Sequence, residues 1–355
     1  MVIRQNILLR DFTTFGIGGP AQYFTEVASE QELEEALNFS ESKQLPFFVL
    51  GGGSNIVVSD EGFPGLVIAN RIKGISISKD DNQVALMVGA GEIWDEIVTY
   101  SVEHNWAGIE CLSGIPGSAG AAPIQNIGAY GQEVSSVIKI VHAFDTYVKK
   151  MTGLDNAACG FDYRKSIFNS VEHGRYIVTR ITMGLKPGGT ATLTYQDLKD
   201  KFPRPENSTL PEVRNAVIEI RARKGMVILP GYEGYRSAGS FFKHPVVSKE
   251  DFERIQELNE FKKNDPRPWF WLLPSEKVKL VATRLIETAG FPPGFRKDKI
   301  GISPKHLLAL INHGGGTAGE LILLAREIQE KVQKKFGITL TPEPEFVGFT
   351  THPLS

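Results

Sequence analysis

The hydrophobic pattern of this 355-residue chain changes period often, and it predicts many short elements. Residues 21–27, Ala-Gln-Tyr-Phe-Thr-Glu-Val, read as a strand. Ser29-Glu-Gln-Glu32 has the spacing of a capping box, and Leu33, Ala36 and Leu37 carry a helical stripe on from it, with Pro46 beyond the helix. Phe47-Phe-Val-Leu50 is a continuous apolar run of the buried-strand kind. A β-α-β unit therefore leads into Gly51-Gly-Gly53. Short strands follow at 56–58, 66–69, 75–77 and 84–88, separated by turn residues. From Glu92 to Val102, the positions Ile93, Ile97, Val98 and Ser101/Val102 suit a helix. Residues 137–144 and 175–183 are strand-like, so this part of the chain reads as mixed α+β.

Pro187, Gly188, Gly189, Pro203, Pro205 and Pro211 predict a loop insertion plus a linker over 186–213, with Leu193-Thr-Tyr-Gln-Asp-Leu198 inside it. Val213 to Lys224 is helical, carrying Val217, Ile220 and a basic end. A further unit begins near 225. In it Ser248-Lys-Glu-Asp251 is an N-terminal cap pattern, 275–289 a helix closed by Gly290, and 307–312 a strand. Thr317-Ala-Gly-Glu320 is a capping box opening a helix with Leu321, Leu324, Ile328 and Val332 on one face, ended by Gly337. Gly314-Gly-Gly316 then reads as a turn into that helix rather than a nucleotide loop.

The length exceeds one ordinary core, so two or three domains are expected. A formal net charge of −2 gives no reason to expect nucleic acid or an anionic membrane as partner. No apolar run approaches the roughly 18 residues of a membrane span. Met-Val-Ile-Arg-Gln-Asn at the start lacks a signal-peptide core. Cys111 and Cys159 form neither a C-x-x-C nor a zinc spacing, which points to a reducing cytoplasm, with Cys111 a packed thiol. His142, His244, His306 and His313 show no ligand spacing, so no metal site is expected.

The densest chemical signal is residues 113–131, Ser-Gly-Ile-Pro-Gly-Ser-Ala-Gly-Ala-Ala-Pro-Ile-Gln-Asn-Ile-Gly-Ala-Tyr-Gly. Glycine permits positive φ and close backbone approach, and successive free N–H groups form an anion nest. Gln125 and Asn126 add amides, and Tyr130 a flat ring with a hydroxyl. With Gly51-Gly-Gly-Ser-Asn55 as a second loop, the pair points to a ligand with a phosphate part and a flat polar ring. It is not a Rossmann fingerprint, since G-x-G-x-x-G and its distal acidic residue are missing. The alternative is two glycine-rich turns without a ligand.

Ser240, in Gly239-Ser-Phe-Phe-Lys-His-Pro245, lacks the G-x-S-x-G of a hydrolase elbow. Phe241 and Phe242 would dry it and Lys243 would polarise it, which fits a proton donor better than a nucleophile; the alternative is a serine in a strand turn. Glu343 stands between Pro342 and Pro344, either a fixed carboxylate for acid/base work or a surface glutamate in a rigid tail. Arg164, after Tyr163, is either a guanidinium fork for a carboxylate or a surface arginine.

Together these motifs closely resemble the UDP-N-acetylenolpyruvoylglucosamine reductase family, in its longer, type I form. The resemblance runs from about Asn6 to the C-terminus. It rests on Phe12-Thr-Thr-Phe-Gly-Ile-Gly-Gly19, Gly51–Asn55, the central stretch, Tyr163-Arg164-x-Ser166-x-Phe168, Gly239–Lys243 and Pro342-Glu343. It implies an α+β chain with an FAD-binding two-domain unit of the vanillyl-alcohol-oxidase (PCMH) type and a smaller α+β substrate-binding domain. The implied domains are 1–70 and 71–213 for FAD, a substrate-capping loop around 186–211, and 220–339 for substrate, with 340–355 packing back near the active site.

By the same resemblance, non-covalent FAD is held by Gly51, Gly52, Gly53, Ser54, Asn55, Ser113, Gly114, Pro116, Gly117, Ser118, Gly120, Ala121, Gln125, Asn126, Gly128 and Tyr130. NADPH is the co-substrate, and UDP-N-acetylglucosamine enolpyruvate is reduced to UDP-N-acetylmuramate for peptidoglycan. Ser240 protonates the enol carbon, while Arg164 and Glu343 stabilise and orient the enol intermediate. Tyr163, Tyr195, Lys224, Lys243, His244 and Thr288 contact substrate. The enzyme is expected to be a cytoplasmic monomer without nucleic-acid or membrane partners. The sequence departs from the family pattern at His244, usually asparagine, at Pro344-Glu345, usually valine-arginine, and at Arg284 and Thr288, where tryptophan and glutamine are usual. An FAD oxidase of the same superfamily is the alternative, and the two loops hold no His or Cys that would tether flavin.

Overall fold

The computed structural model describes residues 1–79, 82–191, 193–204, 206, 208–228, 236–258, 261, 267–273 and 276–354. Internal packing divides the chain into two units. One comprises Met1–Ile7, Ala21–Gly53 and Pro64–Gly234; the other comprises Leu8–Pro20, Ser54–Phe63 and Tyr235–Ser355.

Two sheets organise the first unit. In one, Arg4–Leu8, Pro20–Val27, Phe63–Asn70 and Phe47–Leu50 lie side by side in that order. Phe47–Leu50 runs parallel to Phe63–Asn70, with Leu50 opposite Ala69. Helix Glu30–Ser42 is the crossover that a parallel arrangement needs. Ser29 Oγ accepts from Glu32 N at 3.1 Å, and Glu32 reaches back to Ala28 N at 2.7 Å. Leu33 and Ala36 are fully buried, packed with Val27, Leu66, Ile68, Phe144 and Ile177.

The larger sheet is antiparallel along the order Lys150–Asp155, Ile138–Asp145, Tyr176–Pro187, Val84–Gly89, Ile75–Lys79. In Val84–Gly89 buried Val84, Leu86 and Val88 alternate with half-buried Ala85 and Met87, the period of a strand with one core face. That face shares a core with Trp94, Ile97 and Val98 of helix Trp94–Glu103 and with Val213 and Val217 of helix Leu210–Arg223. Ile93, expected on the helical stripe, is extended instead and 48 % exposed, because it bridges Ser118 in the central loop.

The described residues of 186–213 hold more regular structure than the prolines and glycines there predict. The long strand continues to Pro187, and Gln196–Lys201 is a helix with Leu198 fully buried. The next helix starts at Leu210, ahead of the expected Val213. Thr209 and Glu212 form a capping box there, and Pro211 sits in the first turn, where its missing N–H costs nothing. Pro205 lies outside the described residues.

The second unit has small sheets and helices Lys249–Glu257, Ala282–Thr288 and Ala318–Phe336. Val278–Leu280 lies between Val246–Val247 and Phe270–Leu272; Ile300–Ile302 lies between Arg296–Lys297 and Leu310–Asn312. Ile56–Val58 pairs in parallel with Glu345–Val347. Phe15, Ile17 and Val57 join Phe241, Phe242, Leu285, Leu321, Leu324 and Ile328 in its core. The capping box at Thr317 and the left-handed Gly337 (φ 71°) close the long helix as expected. Gly314 and Gly316 donate to Asn312 Oδ1 at 2.9 and 3.0 Å, which makes the triple glycine a turn.

Two expectations are corrected here. The helix expected over 275–289 is a strand at Val278–Leu280 followed by the shorter helix Ala282–Thr288; Val278 and Leu280 are buried on either side of a half-buried Lys279, a two-residue period. Ser275 lies outside the described residues. The strand expected over 307–312 is confined to Leu310–Asn312, since residues 303–309 close a turn in which Ser303 N donates to Ala309 O and Ala309 N to His306 O.

Candidate active site

The central stretch belongs to the first unit and contains one turn of 3-10 helix, Ala119–Ala121, and a hairpin of Gly128–Ala129 with Gln132–Glu133. Its backbone is pinned along its length. Ala119 N donates to Glu92 O at 2.8 Å and Gly120 N to Ala90 O at 2.9 Å. Ser166 Oγ donates to Ile124 O at 2.5 Å, and Asn126 Nδ2 to Glu133 at 2.9 Å. Gly114 N donates to Asp95 Oδ1 at 2.5 Å, while Arg221 Nε donates to Gly114 O at 3.1 Å. Asp95 also takes a bidentate pair from Arg214 at 2.8 and 2.7 Å. Burial works against its charge, but the hydrogen bonds from Arg214 and Gly114 and the nearby guanidinium charges outweigh burial and hold the carboxyl below its usual range. Ser113 Oγ donates to Glu110 O at 2.6 Å, so its hydroxyl serves the loop itself.

The two glycine loops meet without side chains between them. A Cβ on Gly52 would lie 2.6 Å from Gly117 Cα, and one on Gly51 would lie 2.7 Å from Ser118 Oγ. Among the described residues, the N–H groups of Gly51, Gly52, Gly53, Gly117 and Ser118 have no protein acceptor. Gly53 (φ 63°) and Gly117 (φ 121°) have positive φ, as do Asn126 (φ 46°) and Tyr130 (φ 49°), where a side chain makes that conformation costly. Free amides on a pair of closely touching glycine loops suit a pyrophosphate, so the residues present fit the FAD that the motifs imply. Pro116, Gln125 and Gly128 are half-buried and Ala121 is exposed in the same stretch.

Tyr130, Tyr195 and Lys224 come together at one end of this stretch. The two rings stand edge to face at 5.3 Å, and Lys224 Nζ lies 5.4 and 6.0 Å from them and 3.9 Å from Asp197. Burial pushes the Tyr130 hydroxyl up to about 12. Burial lowers the Lys224 pKa, Arg221 and Arg223 lower it further, and Asp197 opposes them. Arg164, in a left-handed conformation (φ 53°), donates to Gly128 O at 2.7 Å and Asn126 O at 3.4 Å, with Tyr163 5.7 Å from its guanidinium. Cys111 is fully buried and burial raises its thiol, in keeping with a packed role; burial pushes Cys159 up to about 12.

The second unit holds Ser240 and Glu343 in neighbouring segments. Glu343 N donates to Phe241 O at 2.8 Å, Lys243 N to Thr341 O at 2.9 Å, and Phe242 bridges Pro342. Phe241 and Phe242 are 0 % and 1 % exposed, the dry flank expected beside Ser240. Asn55 fixes the glutamate's segment, since its Nδ2 donates to Glu343 O at 3.2 Å and its carbonyl accepts from Glu345 N at 3.0 Å. Thr14 Oγ1 donates to Ser54 O at 3.5 Å. Lys335 Nζ donates to Thr288 O at 3.0 Å, and His244 Nδ1 accepts from Ala282 N at 3.1 Å, capping the helix that ends at Thr288. Ser240 Oγ lies 3.1 Å from His306 Nε2. Sequence reasoning missed this partner because it weighed His306 only for metal-ligand spacing, and no local pattern links the two positions.

Comparison with known proteins gives concordant matches. Residues 231–347 match the family model described as UDP-N-acetylenolpyruvoylglucosamine reductase, C-terminal domain, and residues 21–147 match an FAD binding domain. The chain is 41 % identical over 351 residues to the UDP-N-acetylenolpyruvoylglucosamine reductase of Thermobifida fusca, covering 98 % of each chain. The Streptomyces coelicolor reductase is 38 % identical over 345 residues, 96 % of this chain and 89 % of its own. Among solved structures, the Thermus caldophilus UDP-N-acetylenolpyruvylglucosamine reductase matches 98 % of this chain and 100 % of its own, with a TM-score of 0.64 and 27 % identity.

Proposed function

The chain belongs to the UDP-N-acetylenolpyruvoylglucosamine reductase family and is an oxidoreductase, a UDP-N-acetylmuramate dehydrogenase with an FAD-binding domain; from that premise we propose how its own residues serve the reaction. The substrate is UDP-N-acetylglucosamine enolpyruvate, NADPH is the reductant, and the product is a peptidoglycan precursor. FAD bound there would supply the hydride chemistry that links NADPH to the enolpyruvyl methylene carbon. The free amides of Gly51–Gly53, Gly117 and Ser118 would hold the cofactor's pyrophosphate, and Gln125, Asn126 and Tyr130 would help to hold its ring. Arg164 opposes the charge that develops toward the enolpyruvyl carboxylate, and Glu343 helps to stabilise and orient the enol intermediate. Ser240 gives a proton to the carbon beside that carboxylate. Tyr163, Tyr195, Lys224, Lys243 and Thr288 contact the substrate. His244 contributes to the same contact while its Nδ1 accepts from Ala282 N. Residues 1–70 and 71–213 act as the two FAD-binding parts and 220–339 as the substrate part, in a cytoplasmic monomer.

The observation that carries this reading is the joining of Ser240 and Glu343 through the Glu343 N to Phe241 O bond, on a segment whose two phenylalanines exclude water. A proton donor in such a setting acts only in the second half of the cycle. Ser240→Ala should leave flavin reduction by NADPH nearly intact and slow flavin reoxidation by the enolpyruvyl substrate about 100-fold or more, followed anaerobically by stopped flow. Equal slowing of both halves would remove the proton-donor role.

A further inference from the structure

Ser240 is held against His306 by more than one contact. Ser303, whose side chain is fully buried, accepts through Oγ from Lys305 N and His306 N, each at 3.2 Å. Ala309 N donates to His306 O at 2.9 Å, and Phe241 N to Leu308 O at 2.7 Å. The turn carrying the imidazole and the segment carrying the hydroxyl are therefore tied by backbone one residue after Ser240 and two after His306. Within this frame Oγ and Nε2 stand 3.1 Å apart.

A serine hydroxyl is a weak acid, and giving its proton to carbon would leave an alkoxide in a dry setting, at high cost. We propose that His306, as imidazolium, is the positioning residue that donates Nε2–H to Ser240 Oγ and replaces the proton Ser240 gives away. The Ser240 O–H bond breaks as the C–H bond forms on the carbon beside the carboxylate. The His306 Nε2–H bond breaks as a new O–H bond forms on Ser240. The negative charge of the enolate and the positive charge of the imidazolium vanish together, no alkoxide accumulates, and solvent recharges the neutral imidazole. The direction of the hydrogen bond also matters. A donating Nε2–H leaves the Ser240 proton free to point at substrate, whereas an accepting nitrogen would turn it away. This inference rests on Ser240 being the proton donor. The charged groups on the elements joined here are Lys243 beside Ser240, Glu343 on the neighbouring segment and Lys305 before His306.

The test is single-turnover flavin reoxidation by the enolpyruvyl substrate across the range where histidine titrates, roughly pH 5 to 8. In the native enzyme the rate should fall as His306 loses its proton. His306→Gln keeps a donor to Ser240 but carries no titratable proton. It should reoxidise about 10- to 100-fold more slowly with that pH limb removed, while flavin reduction by NADPH changes far less. His306→Ala, with neither donor nor proton, should be slower still. Apart from turnover, the His306 ring 15N resonances should shift in Ser240→Ala. Native-rate reoxidation by His306→Gln, or a retained pH limb, would overturn the proposal. If Ser240→Ala is slow while His306→Gln is not, only the relay falls; if Ser240→Ala is itself as fast as native, the donor reading beneath it falls too. Flavin content and the unfolding midpoint show that each variant is folded.

Discussion

Asp95 is where the stability of the first unit and the geometry of the central loop depend on one carboxylate. Asp95→Ala removes the bidentate partner of Arg214 and the acceptor of Gly114 N in one step. The side chains of Asp95 and Arg214 are 8 % and 15 % exposed, so the arginine left behind has little water to turn to. Breaking a buried pair from one side costs about 3–5 kcal/mol, and the partial access of Arg214 places this one near 3 kcal/mol. An orphaned buried N–H at Gly114 adds about 1 kcal/mol. Asp95→Asn keeps an acceptor for Gly114 and should cost about half as much. The assay is urea unfolding of the flavin-free protein, so that cofactor binding does not mask the change, run as a double-mutant cycle with Arg214→Ala. The coupling between the two sites should exceed about 1.5 kcal/mol. The pH dependence has a definite sign. The folded pKa of Asp95 lies below the ordinary aspartate value of 3.8, so its contribution is complete above that value and is lost as pH falls through the folded pKa. Asp95→Asn should flatten that acid limb. A cost under about 1 kcal/mol for Asp95→Ala, or additive single variants, would refute the reasoning.

Two further outcomes follow from the site. Gly52→Ala puts a methyl 2.6 Å from Gly117 Cα and must part the glycine loops; flavin titration should show affinity reduced about tenfold or more, roughly 1.4 kcal/mol, with circular dichroism unchanged, and an unchanged Kd would mean the loops do not need to touch. Lys224→Met removes a cation whose charged form burial disfavours, so the folded protein at neutral pH should be no less stable, while KM for the UDP-bearing substrate rises about tenfold or more; a lower unfolding midpoint with unchanged KM would make Lys224 a structural residue.

The sequence was most informative where the chemistry is local. Ser29, Ser248 and Thr317 each cap a helix through the third residue on, because that bond needs nothing beyond one turn. The two glycine loops were legible for the same reason: glycine density reports backbone need directly. Short apolar runs were not, because Val278-Lys-Leu280 satisfies a helical and a strand period alike and only its sheet neighbours decide. Pro203 and Pro211 suggested a linker, yet Pro211 is the first-turn proline of a helix, a role that shows only with its capping box. The partnership of Ser240 with His306 depends on the turn at 303–309 and on strand neighbours remote in sequence, so no residue pattern could announce it. The same holds for the membership of Leu8–Pro20 and Ser54–Phe63 in the second unit, which no local pattern marks.

That threading bears on how the protein is made. Phe15, Ile17 and Val57 emerge from the ribosome roughly 200 to 300 residues ahead of the phenylalanines and leucines that bury them, a wait of about 10 to 60 s at ordinary elongation rates. For that time three apolar side chains stay uncovered on the nascent chain while the segments of the first unit between them condense, which makes this stage the natural point for chaperone capture or aggregation. It also means that residues 231–347, although they form a recognisable family segment, are not a self-sufficient folding unit. Expressed alone they would lack one strand of the Ile56–Val58 pair and the aromatic and aliphatic plug from residues 15–17.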